Sequence, residues 1–295
     1  MIVLYKGTRG DNVKQVQEAL DITADGIYGP ITEVTVKKYQ TAKGLYPDGV
    51  VGPKTWTLLE AATTDNSEHL GPAGDAEGFI KKHYLPKGQY LEGPSKKEYI
   101  FLHHTAGWHS PYKTIDNWGR DDRGRIATAF VIGGQDVRDG DDTYDGEVVQ
   151  CIPTGGYAWH LGKNGSQQMH VNSVGIELCS FGYIVNGRTY ANHNASVTQI
   201  VELDQPFKGR KYHHRYSDKQ INNLKKLLVF IGERDNIDLR EGLPRLIREQ
   251  GLKAFEWNED AYYGRIKGIL SHTNTNKWKS DVHPQEELID MLLSL

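Results

Sequence analysis

The chain has 295 residues, which allows one to three domains, and its 35 Lys and Arg against 38 Asp and Glu give a net charge of −3. That balance gives no support to binding of nucleic acid or another polyanion, and no stretch approaches the ~18 apolar residues of a membrane span. The two cysteines, Cys151 and Cys179, without a CxxC, exclude a disulfide framework and a structural zinc finger. Hydrophobic residues are 38% of the chain, lean but enough for a core, and histidine stands out at twelve.

The start, MIVLYKGTRGD, is too short in apolar residues before Lys6 for a secretory signal, so none is expected. Residues 11–20, DNVKQVQEAL, place Val13, Val16 and Leu20 on one helical face, with Asp11 as the expected N-cap. DGIYGPIT (25–32) and DGVVGPKT (48–55) repeat the frame Asp-Gly-x-x-Gly-Pro-x-Thr after 23 residues. Between them, Val34, Val36, Tyr39 and Leu45 are the apolar candidates, and Thr55 opens a further short helix. A three-helix unit with two glycine turns is therefore expected over residues 1–62. Residues 63–75 are small, polar and turn-rich and read as a linker.

The second domain, 76–295, is expected to open with a short helix. Strand candidates follow at EYIFLHH, TAFVIGG (128–134), EVVQCIP (147–153) and SVGIELCSFG (173–182). Residues 183–216 read as an inserted hairpin or surface loop. A helix capped by Ser217 presents Ile221, Leu224, Leu228 and Ile231, and PQEELIDMLLSL closes the chain as another helix. Strands flanked by helices predict an α/β domain around a mixed central sheet, preceded by the small three-helix domain.

Chemistry concentrates in this domain. His103 and His104 end an apolar strand, His272 follows the apolar run GIL, and Lys279, Asp281 and His283 lie close beyond it. A catalytic zinc site needs three protein ligands and an open position; His103, His272 and one residue of KSDVHP would supply them. Glu177 is a carboxylate inside an apolar strand, suited to carrying a proton, and Lys279 is suited to an oxyanion. Each feature alone has a plainer explanation: a histidine at a strand end is more often a structural hydrogen-bonder, and a lone lysine is usually a solvated charge.

Together the motifs carry a resemblance. Gly7, Gly10, Val13, Gln17, Leu20, the two DG frames, Tyr39, Gln40 and Trp56 resemble the peptidoglycan-binding domain of wall hydrolases, which implies a grip on the wall through a shallow groove. IFLHHTAG, TAFVIGG, AWHLG (158–162), NSVGIEL (172–178), YSDKQINNLKKLL and LSHTN…KSDVHP resemble the zinc-dependent N-acetylmuramoyl-L-alanine amidases, a group that includes phage endolysins and peptidoglycan recognition proteins. The resemblance implies zinc held by His103, His272 and Asp281, with His283 a rival third ligand because members usually carry that ligand directly before proline. It implies Glu177 as the base and Lys279 as the oxyanion partner. His160 is implied as an orienting neighbour of the substrate, and Thr128 stands where some members carry a tyrosine that aids catalysis. The implied protein is a monomeric endolysin that cuts between the lactyl group of N-acetylmuramic acid and L-alanine. It would stay in the host cytoplasm until released to the wall. A binding-only wall protein and a zinc peptidase acting on the stem peptide are the alternatives.

Overall fold

The computed structural model of the chain describes residues 3–65, apart from 21, 23 and 44, and residues 78–295. The chain divides into two compact units, Met1–Asp75 and Ala76–Leu293.

The first unit holds helices α1 (Asp11–Ala19), α2 (Pro30–Ala42) and α3 (Pro53–Asp65). The expected N-cap moves by one residue: Gly10, with φ of 121°, is the cap and Asp11 lies in the first turn, where its charge favours the helix dipole. α3 runs to Asp65, past residue 62, and residues 66–75 of the expected linker lie outside the described residues. The core is Leu4, Val13, Val16, Tyr28, Val36, Val51 and Leu59. Val34, a candidate for that core, is instead 53% exposed.

The sequence repeat is also a hydrogen-bond repeat. The Gln17 side-chain amide donates to Asp25 Oδ1 at 2.8 Å, Ile27 O at 3.0 Å and Thr32 Oγ1 at 3.1 Å, while its oxygen accepts from Gly26 N at 2.8 Å. Twenty-three residues on, Gln40 does the same with Asp48 Oδ1 at 2.7 Å, Val50 O at 3.0 Å, Thr55 Oγ1 at 3.3 Å and Gly49 N at 2.8 Å. Gly26 and Gly49 each sit at φ 72°, which a side chain would strain. Each DG turn is thus clamped by a buried glutamine of the preceding helix. Gln17→Leu leaves Gly26 N and Thr32 without this partner, so a loss of about 2–4 kcal/mol is expected in a denaturant titration of the first unit.

The second unit contains, in chain order, β1 (Ile80–Lys82), β2 (Tyr99–His104), α4 (Pro111–Gly119), β3 (Phe130–Ile132), β4 (Val148–Gln150), α5 (Gln167–Val171) and β5 (Ser173–Leu178). Then come β6 (Tyr183–Val185), β7 (Arg188–Thr189), β8 (Ile200–Phe207), β9 (Arg210–His214), α6 (Asp218–Asp235), α7 (Leu243–Gln250), α8 (Glu259–Tyr262), β10 (Gly268–Ser271), α9 (His272–Thr275) and α10 (Glu286–Leu293). The expected opening helix is absent from the described residues; the unit enters through a turn into β1.

Six strands form a mixed sheet in the order β1-β4-β3-β5-β2-β10, with β3, β5, β2 and β10 mutually parallel and β4 antiparallel to β3. Strand alternation sorts its faces. Leu102, Ile176, Leu178 and Ile132 pack with Leu224, Leu227, Leu228 and Ile231 of α6, whose N-cap Ser217 accepts from Gln220 N. Val131 and Val149 pack with Ile115 of α4. Residues 183–214, expected as a hairpin or loop, form a second antiparallel sheet in the order β7-β6-β9-β8. Among the described residues no helix is long and apolar enough to cross a membrane.

Candidate metal centre

Because β5, β2 and β10 are parallel, their carboxyl ends reach the same edge of the sheet, a common place for a ligand site in α/β folds. His103 lies near the end of β2 and pairs in register with Glu177 of β5. His272 follows β10 directly. It opens α9, where Ser271 and Asn274 form a reciprocal capping box that fixes this short turn. Asp281 arrives from the irregular segment between α9 and α10.

Three ligand-type atoms converge there. His103 Nδ1 is 3.0 Å from His272 Nδ1 and 3.3 Å from Asp281 Oδ2, and His272 Nδ1 is 3.1 Å from the same oxygen. All three residues are buried, and they are the group of metal-ligand type found among the described residues.

The hydrogen bonds behind His103 allow a proton arrangement that leaves its Nδ1 free, as a metal ligand requires. In this arrangement Ser173 donates its hydroxyl proton to His170 O at 3.3 Å and accepts from His160 Nε2 at 2.7 Å. His160 Nδ1 is then an acceptor and takes the proton of His103 Nε2 at 3.0 Å. His103 Nδ1 is left with a bare lone pair aimed at His272 and Asp281. A single proton on His272 Nδ1 cannot serve both neighbours, so lone pairs face one another across about 3 Å in a buried place. A cation between them removes that repulsion, and the two-nitrogen, one-carboxylate set suits zinc. A histidine ligand with its far nitrogen held by a hydrogen bond is also the usual arrangement.

Burial depresses the His103 pKa to about 4, against the pull of Asp281, which keeps the ring neutral near pH 7. Burial works against the Asp281 carboxylate too, but His272 and His103 outweigh it and hold its pKa below the usual range. Glu177 goes the other way: burial, reinforced by the Asp281 charge and opposed by Lys279, raises its pKa well above the usual range. Its carboxyl has no hydrogen-bond partner among the described residues, although only 8% of the residue is exposed. A largely buried carboxyl with a raised pKa at the rim of a ligand-type cluster is suited to exchanging a proton there.

The remaining sequence candidates fall in three places. Lys279 is solvent-exposed, on the loop between His272 and Asp281, with its charge acting on Glu177 and His103. His160 and Thr128 are both buried, and both lie over Gly175. A Cβ there would stand 3.0 Å from Thr128 Cγ2 and 3.2 Å from His160 Cγ, so the glycine makes room for the imidazole that holds His103. Thr128 gives its hydroxyl to Phe130 O at 3.0 Å. His283 stands apart from the three converging atoms, stacked between Tyr216 and His213. Sequence reasoning did not find Ser173, Ser271 or Asn274. Their roles depend on which backbone they meet, and one sequence carries no signal for that.

Residues 93–283 match the N-acetylmuramoyl-L-alanine amidase family, and residues 9–59 match the peptidoglycan binding domain family. A relative, the N-acetylmuramoyl-L-alanine amidase CwlA of Bacillus subtilis (strain 168), is 38% identical over 103 residues, 34% of this chain and 34% of its own length. The chain thus matches about a third of the length of that curated relative. Among solved structures, a mutant endolysin from Bacillus subtilis is 15% identical, with a TM-score of 0.39, covering 68% of this chain and 88% of its own. The SleB N-terminal domain is 31% identical, with a TM-score of 0.21, covering 21% of this chain and 93% of its own. With the family match spanning most of the chain, and the peptidoglycan binding match preceding it, the chain belongs to the N-acetylmuramoyl-L-alanine amidase family.

Proposed function

We propose that the protein hydrolyses the amide between the lactyl group of N-acetylmuramic acid and L-alanine in peptidoglycan, with zinc held by His103, His272 and Asp281. The observation that carries this reading is the convergence of those three atoms, with His103 Nε2 backed by the His160–Ser173 chain. Zinc bound there supplies Lewis acidity, which polarises a carbonyl and makes water acidic near neutral pH. Glu177, at the same strand ends, takes the proton of the attacking water on its carboxylate and returns it to the leaving nitrogen. Lys279 offsets the negative charge that develops on the carbonyl oxygen. His160 acts through His103, holding its Nε2 proton, and Thr128 packs beside it over Gly175.

Residues 1–62 attach the enzyme to the wall, 63–75 connect, and 76–295 perform the cleavage. With a net charge of −3, bulk attraction to an anionic envelope does not provide attachment, so the shaped surface of the first unit must. The setting we assign is that of a monomeric phage endolysin, held in the host cytoplasm until release. Family membership and the peptidoglycan binding match support cleavage of, and attachment to, peptidoglycan. A chelator should abolish clearing of purified sacculi, and added zinc should restore it. Clearing that persists after the protein is shown to be metal-free would refute the zinc assignment.

A further inference from the structure

A second group of buried rings adjoins the site, and the proposed chemistry does not use it. His283 lies between two rings: Tyr216 at 4.1 Å and 11°, and His213 at 4.6 Å and 27°. All three residues are at most 1% exposed. Ring-face packing is the main hold on His213 and His283, with the Lys211 backbone beside the His213 ring and the Gln285 side chain beside the His283 ring. At one end, the Tyr216 hydroxyl meets His104 Nδ1 at 2.9 Å, next to His103 in β2. Gln285 fixes Tyr216 by accepting from its N at 2.8 Å and donating to its O at 2.9 Å. At the other end, His213 belongs to β9 of the antiparallel sheet.

The same sheet touches the Asp281 segment a second time, where Lys208 Nζ, between β8 and β9, donates to Lys277 O at 3.4 Å. Residues 276–285 have no helix or strand of their own; Thr273 N of α9 donates to Asp281 O at 3.3 Å, and the neighbouring Val282 is buried in the core. Beyond that one bond and the burial of Val282, the segment is held by what grips it on either side. Lys208 grips it before Asp281, and the His213–His283–Tyr216 stack grips it two residues after.

We infer that the sheet of residues 183–214 is a clamp that sets the third metal ligand, with His213 as its positioning residue, acting on Asp281 through His283. The inference rests on reading His103, His272 and Asp281 as a metal centre. It gives the inserted sheet a task in metal affinity rather than in contact with the wall.

The test uses the full chain, stripped of metal, and zinc affinity measured by competition with a chromophoric chelator well below the unfolding transition. His213→Ala should weaken zinc binding about tenfold, the lower end of what outer-shell partners contribute. His213→Phe, which keeps a flat ring in the stack, should bind nearly as wild type. Tyr212→Ala, one residue away on the opposite, solvent-facing side of β9, should leave affinity unchanged. A purely structural role for His213 would lower the melting temperature without moving zinc affinity, and that result overturns the inference. So does equal weakening in the Phe variant, or in Tyr212→Ala. If the Ala variant does not fold, His213→Leu replaces it: it fills the volume without stacking and should show the weakened affinity, and wild-type affinity there overturns the clamp. Absence of zinc binding by the wild type would refute the metal centre itself, an outcome distinct from failure of the clamp alone.

Discussion

Glu177→Gln is expected to retain its zinc and lose about 10²–10⁴-fold in kcat, the range of a positioned general acid or base. The change is nearly isosteric, so the packing against β2 and β3 is preserved. What disappears is the group able to take a proton. No protein hydrogen bond to the carboxyl is found among the described residues, so the variant loses none and the melting temperature should be close to that of the wild type. Loss of activity at unchanged stability and zinc content separates a proton carrier from a structural residue. Full activity in this variant would remove Glu177 from the mechanism.

Asp281→Ala is expected to lose zinc by more than ~100-fold in affinity, beyond what outer-shell partners contribute, because it deletes the single carboxylate of the set. It also removes the charge that opposes the effect of burial on His103. His283→Phe keeps a ring between Tyr216 and His213 and should retain both zinc and most of the activity. Metal content after dialysis against a weak chelator reads both variants. The pair also decides between the two third-ligand candidates: zinc lost from the His283 variant and kept in the Asp281 variant would reverse the assignment.

Much of this architecture is legible in the sequence because local patterns fix it. The 23-residue repeat announces two equivalent turns, and the matching Gln17 and Gln40 clamps follow from it. The strands YIFLHH and SVGIEL are apolar on both faces, as buried parallel strands are. Elements that depend on tertiary context are not legible. The helices between residues 236 and 262 are short and interrupted by glycine, and they are stabilised by packing that periodicity does not display. Residues 183–216 alternate weakly, and only the pairing of β6, β8 and β9 makes them a sheet. At the site, residue types and order pointed to His103, His272, Asp281 and Glu177. Nothing in their spacing could show that parallel strand ends bring 103, 177 and 272 together. The proton chain through His160 and Ser173 was hidden for the same reason, since it joins residues that meet only after β2 and β5 pair.

The most direct measurement is identification of new chain ends after purified sacculi are digested with the zinc-loaded protein. The amidase reading predicts new N-terminal L-alanine, released in step with free lactyl groups on N-acetylmuramic acid. New termini within the stem peptide would instead make the protein a peptidase, and binding to sacculi without any new ends would make it a wall-binding protein; either result contradicts the reading.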